Sequence, residues 1–147
     1  MSSIGCGKSI EILLFLVVAC TLVGCDAGGP KTYMVRGRVV LEDGKSIEMG
    51  SVEFRSEAVH SRVIARGKIN QDGSFALSTF LVDDGAVAGR HEVIVQQMII
   101  SEGIGSSHQH GPRVSARYSE YSTSGLNIEI AKADDNFVTL VLEKTTP

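Results

Sequence analysis

Tryptophan is missing from this chain of 147 residues, and its aromatic side chains number three tyrosines and five phenylalanines. That scarcity argues against the stacking platform typical of sugar-binding modules. There is no excess of positive charge either: 14 basic residues face 17 acidic ones, and Glu53, Glu92 and Glu129 alternate with basic neighbours, so nucleic acid is a poor partner. Cysteine occurs three times, at Cys6, Cys20 and Cys25, so everything beyond residue 25 has to hold together without a disulfide. No Gly-x-Ser-x-Gly elbow is present and no run has helical periodicity, which argues against a hydrolase built on a strand-to-helix nucleophile turn. Gly7-Lys8-Ser9 lacks the earlier glycine that a phosphate-binding loop requires. The stretch Ile12 to Val23, twelve positions with only Cys20 and Thr21 mildly polar, falls short of the roughly 20 residues that span a bilayer.

What is present begins with that same stretch. A short apolar core with Lys8 before it fits a secretory signal better than a membrane helix. It ends on Leu22-Val23-Gly24-Cys25, which resembles the lipobox of bacterial lipoproteins. The resemblance implies that Leu22, Val23 and Gly24 are read by the signal peptidase and that the Cys25 thiol accepts lipid, fatty acyl chains such as palmitate, to become the first mature residue. Residues 1–24 are then the signal peptide, and residues 25–32, with Asp26-Ala27-Gly28-Gly29-Pro30, are the lipidated cysteine and a flexible tether. Two or more acyl chains give stable attachment, each buried methylene contributing about 0.8 kcal/mol. The expected location is the cell envelope, with the domain on the extracytoplasmic side; the aspartate at position 26 leaves the choice of membrane open.

The mature portion of 123 residues suffices for one core, and its dominant pattern is alternation. Val35, Gly37, Val39 and Leu41 share a face opposite Arg36, Arg38 and Val40. Asp43-Gly44 supplies a turn, after which Val52 and Phe54 alternate with Glu53 and Arg55. Val63, Ala65, Gly67 and Ile69 face inward in a third strand, Asn70-Gln71-Asp72-Gly73 turns the chain, and Phe75 and Leu77 mark a fourth. After Asp83-Asp84-Gly85, a fifth strand places His91, Val93 and Val95 opposite Arg90, Glu92 and Ile94. Leu126, Ile128 and Ile130, then Val138, Leu140 and Leu142, complete the set. Seven or so short strands predict an all-β, antiparallel β-sandwich over residues 33–147.

The ordered strings Gly37 to Lys45, Gly50-Ser51-Val52-Glu53-Phe54, Gly67-Lys68-Ile69 with Asp72-Gly73-Ser74-Phe75, and Gly89 to Val95 resemble carboxypeptidase regulatory-like domains, as do Arg117-Tyr118 and Thr123-Ser124-Gly125-Leu126. Short bacterial lipoproteins built from one such domain are the nearest likeness. Ser46 stands where many of them carry proline, and His91 where tyrosine is common. The resemblance implies a seven-stranded transthyretin-like (prealbumin-like) sandwich with structural, accessory or adhesive roles and no catalytic residues or cofactor to carry over. Transthyretin-like folds include a purine-pathway hydrolase that closes on Tyr-Arg-Gly-Ser; here the last residues are Leu142-Glu143-Lys144-Thr145-Thr146-Pro147. The expectation is a non-enzymatic protein held to the membrane by its lipid. The competing expectation is a binding module for an envelope protein or polysaccharide that uses the loop Ser101 to Gly111 or the loop Thr79 to Ala88.

Other constellations have plainer readings. His108 and His110, two imidazoles on one side of an extended segment, are the weak candidates for a metal, without an acidic or cysteine neighbour at ligand spacing. Asp72, Asp83, Asp84, Asp134 and Asp135 suit turn chemistry better than a calcium loop. Arg36, Arg38, Arg62, Arg66 and Lys68 form a basic stripe only if their strands are neighbours, and His91 on an apolar face is read as a packed residue.

Overall fold

A computed structural model describes residues 29–58, 63–98 and 113–145. Nine strands follow in chain order: β1 (Thr32–Tyr33), β2 (Val35–Leu41), β3 (Gly50–Ser56), β4 (Ile64–Ile69), β5 (Ser74–Ala76), β6 (Ala86–Val87), β7 (Gly89–Gln97), β8 (Leu126–Ile130) and β9 (Asn136–Leu142). Two larger sheets have the orders β5-β2-β9 and β4-β3-β7-β8, and β1 pairs with β6 in a two-stranded ribbon. The expected all-β class is therefore observed, with the ribbon added to seven strands in the larger sheets.

The alternating pattern is expressed as burial. Along β2, Val35, Gly37, Val39 and Leu41 are buried while Arg36 and Arg38 are exposed, and β9 buries Val138, Leu140 and Leu142 in the same rhythm. Val52 and Phe54 of β3 and Val93 and Val95 of β7 come from the other sheet into one shared cluster. Phe54 meets Phe75 across the interior with ring centroids 6.0 Å apart, so the two sheets are joined by an aromatic contact. Gly37 makes room for that contact: a Cβ there would lie 2.5 Å from the Phe75 ring and would collide with the Val138 carbonyl.

Two features depart from the sequence reading. First, β2 and β9 pair in parallel over seven residue pairs, from Val35 opposite Asn136 to Leu41 opposite Leu142, whereas every other strand pairing is antiparallel. A period of two reports which side chains face inward and is silent on strand direction, so an all-antiparallel expectation missed it. Second, Ile94, assigned to the outer face, is 5% exposed. A 3-10 turn at Ala116–Ser119 and a one-turn helix α1 at Tyr121–Ser124 lie against β7, and Tyr121 meets the outer-face residues Glu53 and Arg55 beside it. In keeping with the inward Val138, Leu140 and Leu142, β9 carries Phe137 and Val141 outward, 70% and 52% exposed. Among the described residues no helix is long and apolar enough to cross a membrane.

Connections sort the loops to two ends. The first residues of β2 and β9, the last of β5, β3 and β8, and the start of β7 lie together, along with β1 and the loop from Ser78 to Gly85. The opposite end holds the turns at residues 42–45 and 70–73 and the segment at residues 143–145, where Lys144 pairs with Asp43.

Candidate functional site

The loop between β5 and β6 is the most unusual surface feature. Phe80, Leu81 and Val82, consecutive in sequence, are 54%, 74% and 88% exposed. Scattered exposed apolar residues are ordinary, but three in a row at a loop tip need a reason.

This loop is held from within. Asp84 accepts from the backbone N–H of Thr79 at 2.6 Å and of Phe80 at 3.1 Å, the Asp83 N–H donates to Ser78 Oγ at 2.8 Å, and the Thr79 hydroxyl donates to the Gly85 carbonyl at 2.6 Å. The Gly85 N–H closes the loop on Leu77 O at 2.9 Å. Partial burial acts to raise the Asp84 carboxyl, but the surrounding backbone N–H groups, those of Thr79, Phe80 and Leu81 among them, outweigh it and hold it below its ordinary value. Gly85 adopts φ +85°, and the Tyr33 carbonyl occupies the place a Cβ would take. The sequence made these residues recognisable as loop-formers; the apolar trio inside them was the missed signal, since it lacks the alternation of a strand and sits between Ser78-Thr79 and Asp83-Asp84-Gly85.

The other residues singled out from sequence fare differently. Leu22, Val23, Gly24, Cys25, Arg62, His108 and His110, with the loop Ser101 to Gly111, lie outside the described residues. The basic stripe is divided: Arg36 and Arg38 belong to β2 in the three-stranded sheet and Arg66 and Lys68 to β4 in the four-stranded one. Arg36 pairs with Asp135 at 2.7 Å and Arg66 with Glu53 at 2.8 Å, so those charges are already partnered. Asp72 accepts from the Ser74 N–H at 2.9 Å, which is turn chemistry. No group of three or more metal-ligating side chains occurs among the described residues.

His91 is 1% exposed, beside Phe54, and its Nδ1 lies 2.9 Å from the Gly89 carbonyl. A carbonyl only accepts, so Nδ1 carries the proton. Burial pushes the imidazole below its ordinary value, against the opposing pull of that carbonyl. Ser124 is likewise committed, its hydroxyl donating to Val93 O at 2.5 Å. These buried polar groups fix backbone rather than converge on a cleft.

One further polar assembly escaped the sequence reading. On the outer face of the four-stranded sheet, the Arg55 guanidinium stacks 3.8 Å from the Tyr121 ring centroid and donates to Glu92 at 2.6 and 2.9 Å, while the Tyr121 hydroxyl donates to Glu53 at 3.3 Å. Burial, then the Glu53 charge, pushes the Tyr121 phenol up to about 12. Its groups satisfy one another and fasten α1 to the sheet. Open grooves of about 360 Å³ beside Met49, Lys68 and Met98 and about 570 Å³ beside Gln96, Arg113 and Glu120 adjoin the ends of the segment at residues 99–112. No family model, no curated protein and no solved structure matches the chain.

Proposed function

We propose that this chain is a lipid-anchored protein of the cell envelope, whose one β domain is a transthyretin-like sandwich of the carboxypeptidase regulatory-like kind and has a structural or accessory, non-enzymatic role. The observation that carries the reading is Leu22-Val23-Gly24-Cys25 at the end of the apolar stretch Ile12 to Val23. The domain assignment is supported by seven strands divided three and four between the larger sheets, around one core. Lipid on Cys25 would hold the domain at a membrane surface through a short tether, with its loops free to meet neighbours.

A binding module for an envelope protein or polysaccharide is the second reading. The exposed trio Phe80, Leu81 and Val82 favours it, since a held apolar tip suits contact with a surface. Both readings share the anchor, whose test is Cys25→Ala in the full chain. The expected outcome is unprocessed precursor without acyl mass; normally cleaved, acylated mutant protein would refute the anchor. In-cell crosslinking of the lipidated protein, with the same substitution as the mislocalised control, separates the roles: one recurrent partner lost in the control favours the binding module, and only abundant envelope neighbours favour the structural role.

A further inference from the structure

We infer that the Phe80-Leu81-Val82 tip enters the headgroup–acyl boundary of the bilayer to which the chain is tied, giving the anchored domain a second membrane contact and a fixed orientation. The inference rests on the lipid-anchor reading, because one small tip needs the anchor to keep it at the surface.

Position carries the argument first. β1 begins at Thr32 and pairs with β6, Thr32 opposite Val87 and Tyr33 opposite Ala86, so the chain enters the domain at the end that holds the tip. Thr32 stands seven positions after Cys25. Such a segment extends at most ~25 Å, and Gly28-Gly29 favour a root-mean-square span of about 15 Å. A bilayer holding the Cys25 lipid is therefore within reach of this end of the sandwich. The effective concentration of membrane at the tip is then on the order of millimolar or more, and a contact too weak to act alone becomes populated.

Chemistry carries it second. The tip differs from the connections around it: the far end shows Glu42, Asp43, Lys45, Gln71 and Asp72 to water and the β8–β9 connection at the near end shows Lys132, Asp134 and Asp135, whereas the tip is the apolar trio, with Met34 also 45% exposed beside it. The loop's backbone is partly prepared for a less aqueous setting, since the N–H groups of Phe80 within the trio and of Thr79 and Asp83 on either side of it already have acceptors inside the loop. Exposed Asp83 directly after Val82 limits the depth to a shallow insertion.

The test uses the mature lipidated protein in vesicles of phosphatidylethanolamine and phosphatidylglycerol. Lipid occupies the Cys25 thiol, so Leu81→Cys supplies a single free thiol for an environment-sensitive fluorophore. Val82→Cys is the second tip position and Gln71→Cys the far-end control. The expected result is a blue shift, an intensity gain of about two-fold or more and quenching by spin-labelled lipid at 81 and 82, with none at 71. Tip labels that stay water-like and unquenched on protein that floats with the vesicles would overturn the insertion while leaving the anchor intact. Absence of both acyl mass and flotation would overturn the anchor and the insertion with it. Tip labels unquenched by lipid but crosslinked in cells to one envelope protein would overturn the insertion in favour of a protein partner.

Discussion

The turn at residues 70–73 and the loop at residues 78–85 lie at opposite ends of the sandwich and are built on the same device, an aspartate taking up backbone N–H groups. Asp72 accepts from Ser74, and Asp84 from Thr79 and Phe80. Their contents are opposed: the turn exposes Gln71 and Asp72, the loop Phe80, Leu81 and Val82. Since the carboxylate and the glycine after it shape each connection, the apolar trio is not needed to form its loop. Folding requirements and surface content are separable there, which makes the trio a question of function rather than of stability.

The comparison breaks most severely at Gly85. Alanine would meet both a φ of +85° and the Tyr33 carbonyl, and the left-handed strain with the overpacking sum to about 3 kcal/mol. For a domain of this size the melting temperature should fall by roughly 10 °C. A variant that melts within two or three degrees of the parent, roughly the shift of under 1 kcal/mol, would show that the β1–β6 ribbon yields easily and that the loop is not held as described.

Next in size is the aspartate pair. Asp84→Ala leaves two backbone N–H groups without their charged acceptor, a loss of about 1–2 kcal/mol after allowing for solvent access. Asp72→Ala removes a fully exposed contact and should lower the melting temperature less. Equal falls would mean that the two clamps bear the same load despite their different surroundings.

Acid sharpens the contrast further, because the loop's end also holds His91, near the start of β7. A histidine whose folded value is depressed binds its proton more readily unfolded. Stability is therefore full above about 6.5, the unfolded value, and declines as pH falls below it until the folded value is passed. Both aspartates are depressed too, so their contribution persists above about 3.9 and is lost only as pH falls through their folded values. Melting temperature followed from pH 7 to pH 5 should slope downward in the parent and flatten in His91→Gln; an unchanged slope would assign that titration elsewhere.

Much of the fold was legible in advance because burial of alternate side chains imposes a period of two: Val35, Val39 and Leu41, and likewise Val138, Leu140 and Leu142, were correctly placed inward. Direction was not, since the parallel pairing of β2 with β9 joins residues about a hundred positions apart and leaves no local trace. Ile94 was placed on the right face, but its burial was not foreseen, because the turn and helix that lie against β7 are distant in sequence and too short to show periodicity. At the site, Asp83-Asp84-Gly85 announced a turn, but the exposure of Phe80, Leu81 and Val82 depends on how the loop is clamped, and an apolar trio reads equally well as a piece of core.

The smallest stability effect is expected where the chemical change is greatest. Serine at all three positions, Phe80, Leu81 and Val82, removes three apolar side chains from water and breaks none of the bonds that close the loop, all of which run through Ser78, Thr79, Asp83, Asp84, Gly85 and backbone groups. Surface substitutions of this kind stay within about 0.5 kcal/mol, so the melting temperature should move by no more than a few degrees while the loop keeps its closure, visible as unchanged amide protection at Gly85. A large fall would mean that the trio packs on something in the folded protein and is structural after all. An unchanged melt leaves a surface that folding does not require, and the difference between the two ends of the sandwich then has its reason outside the domain.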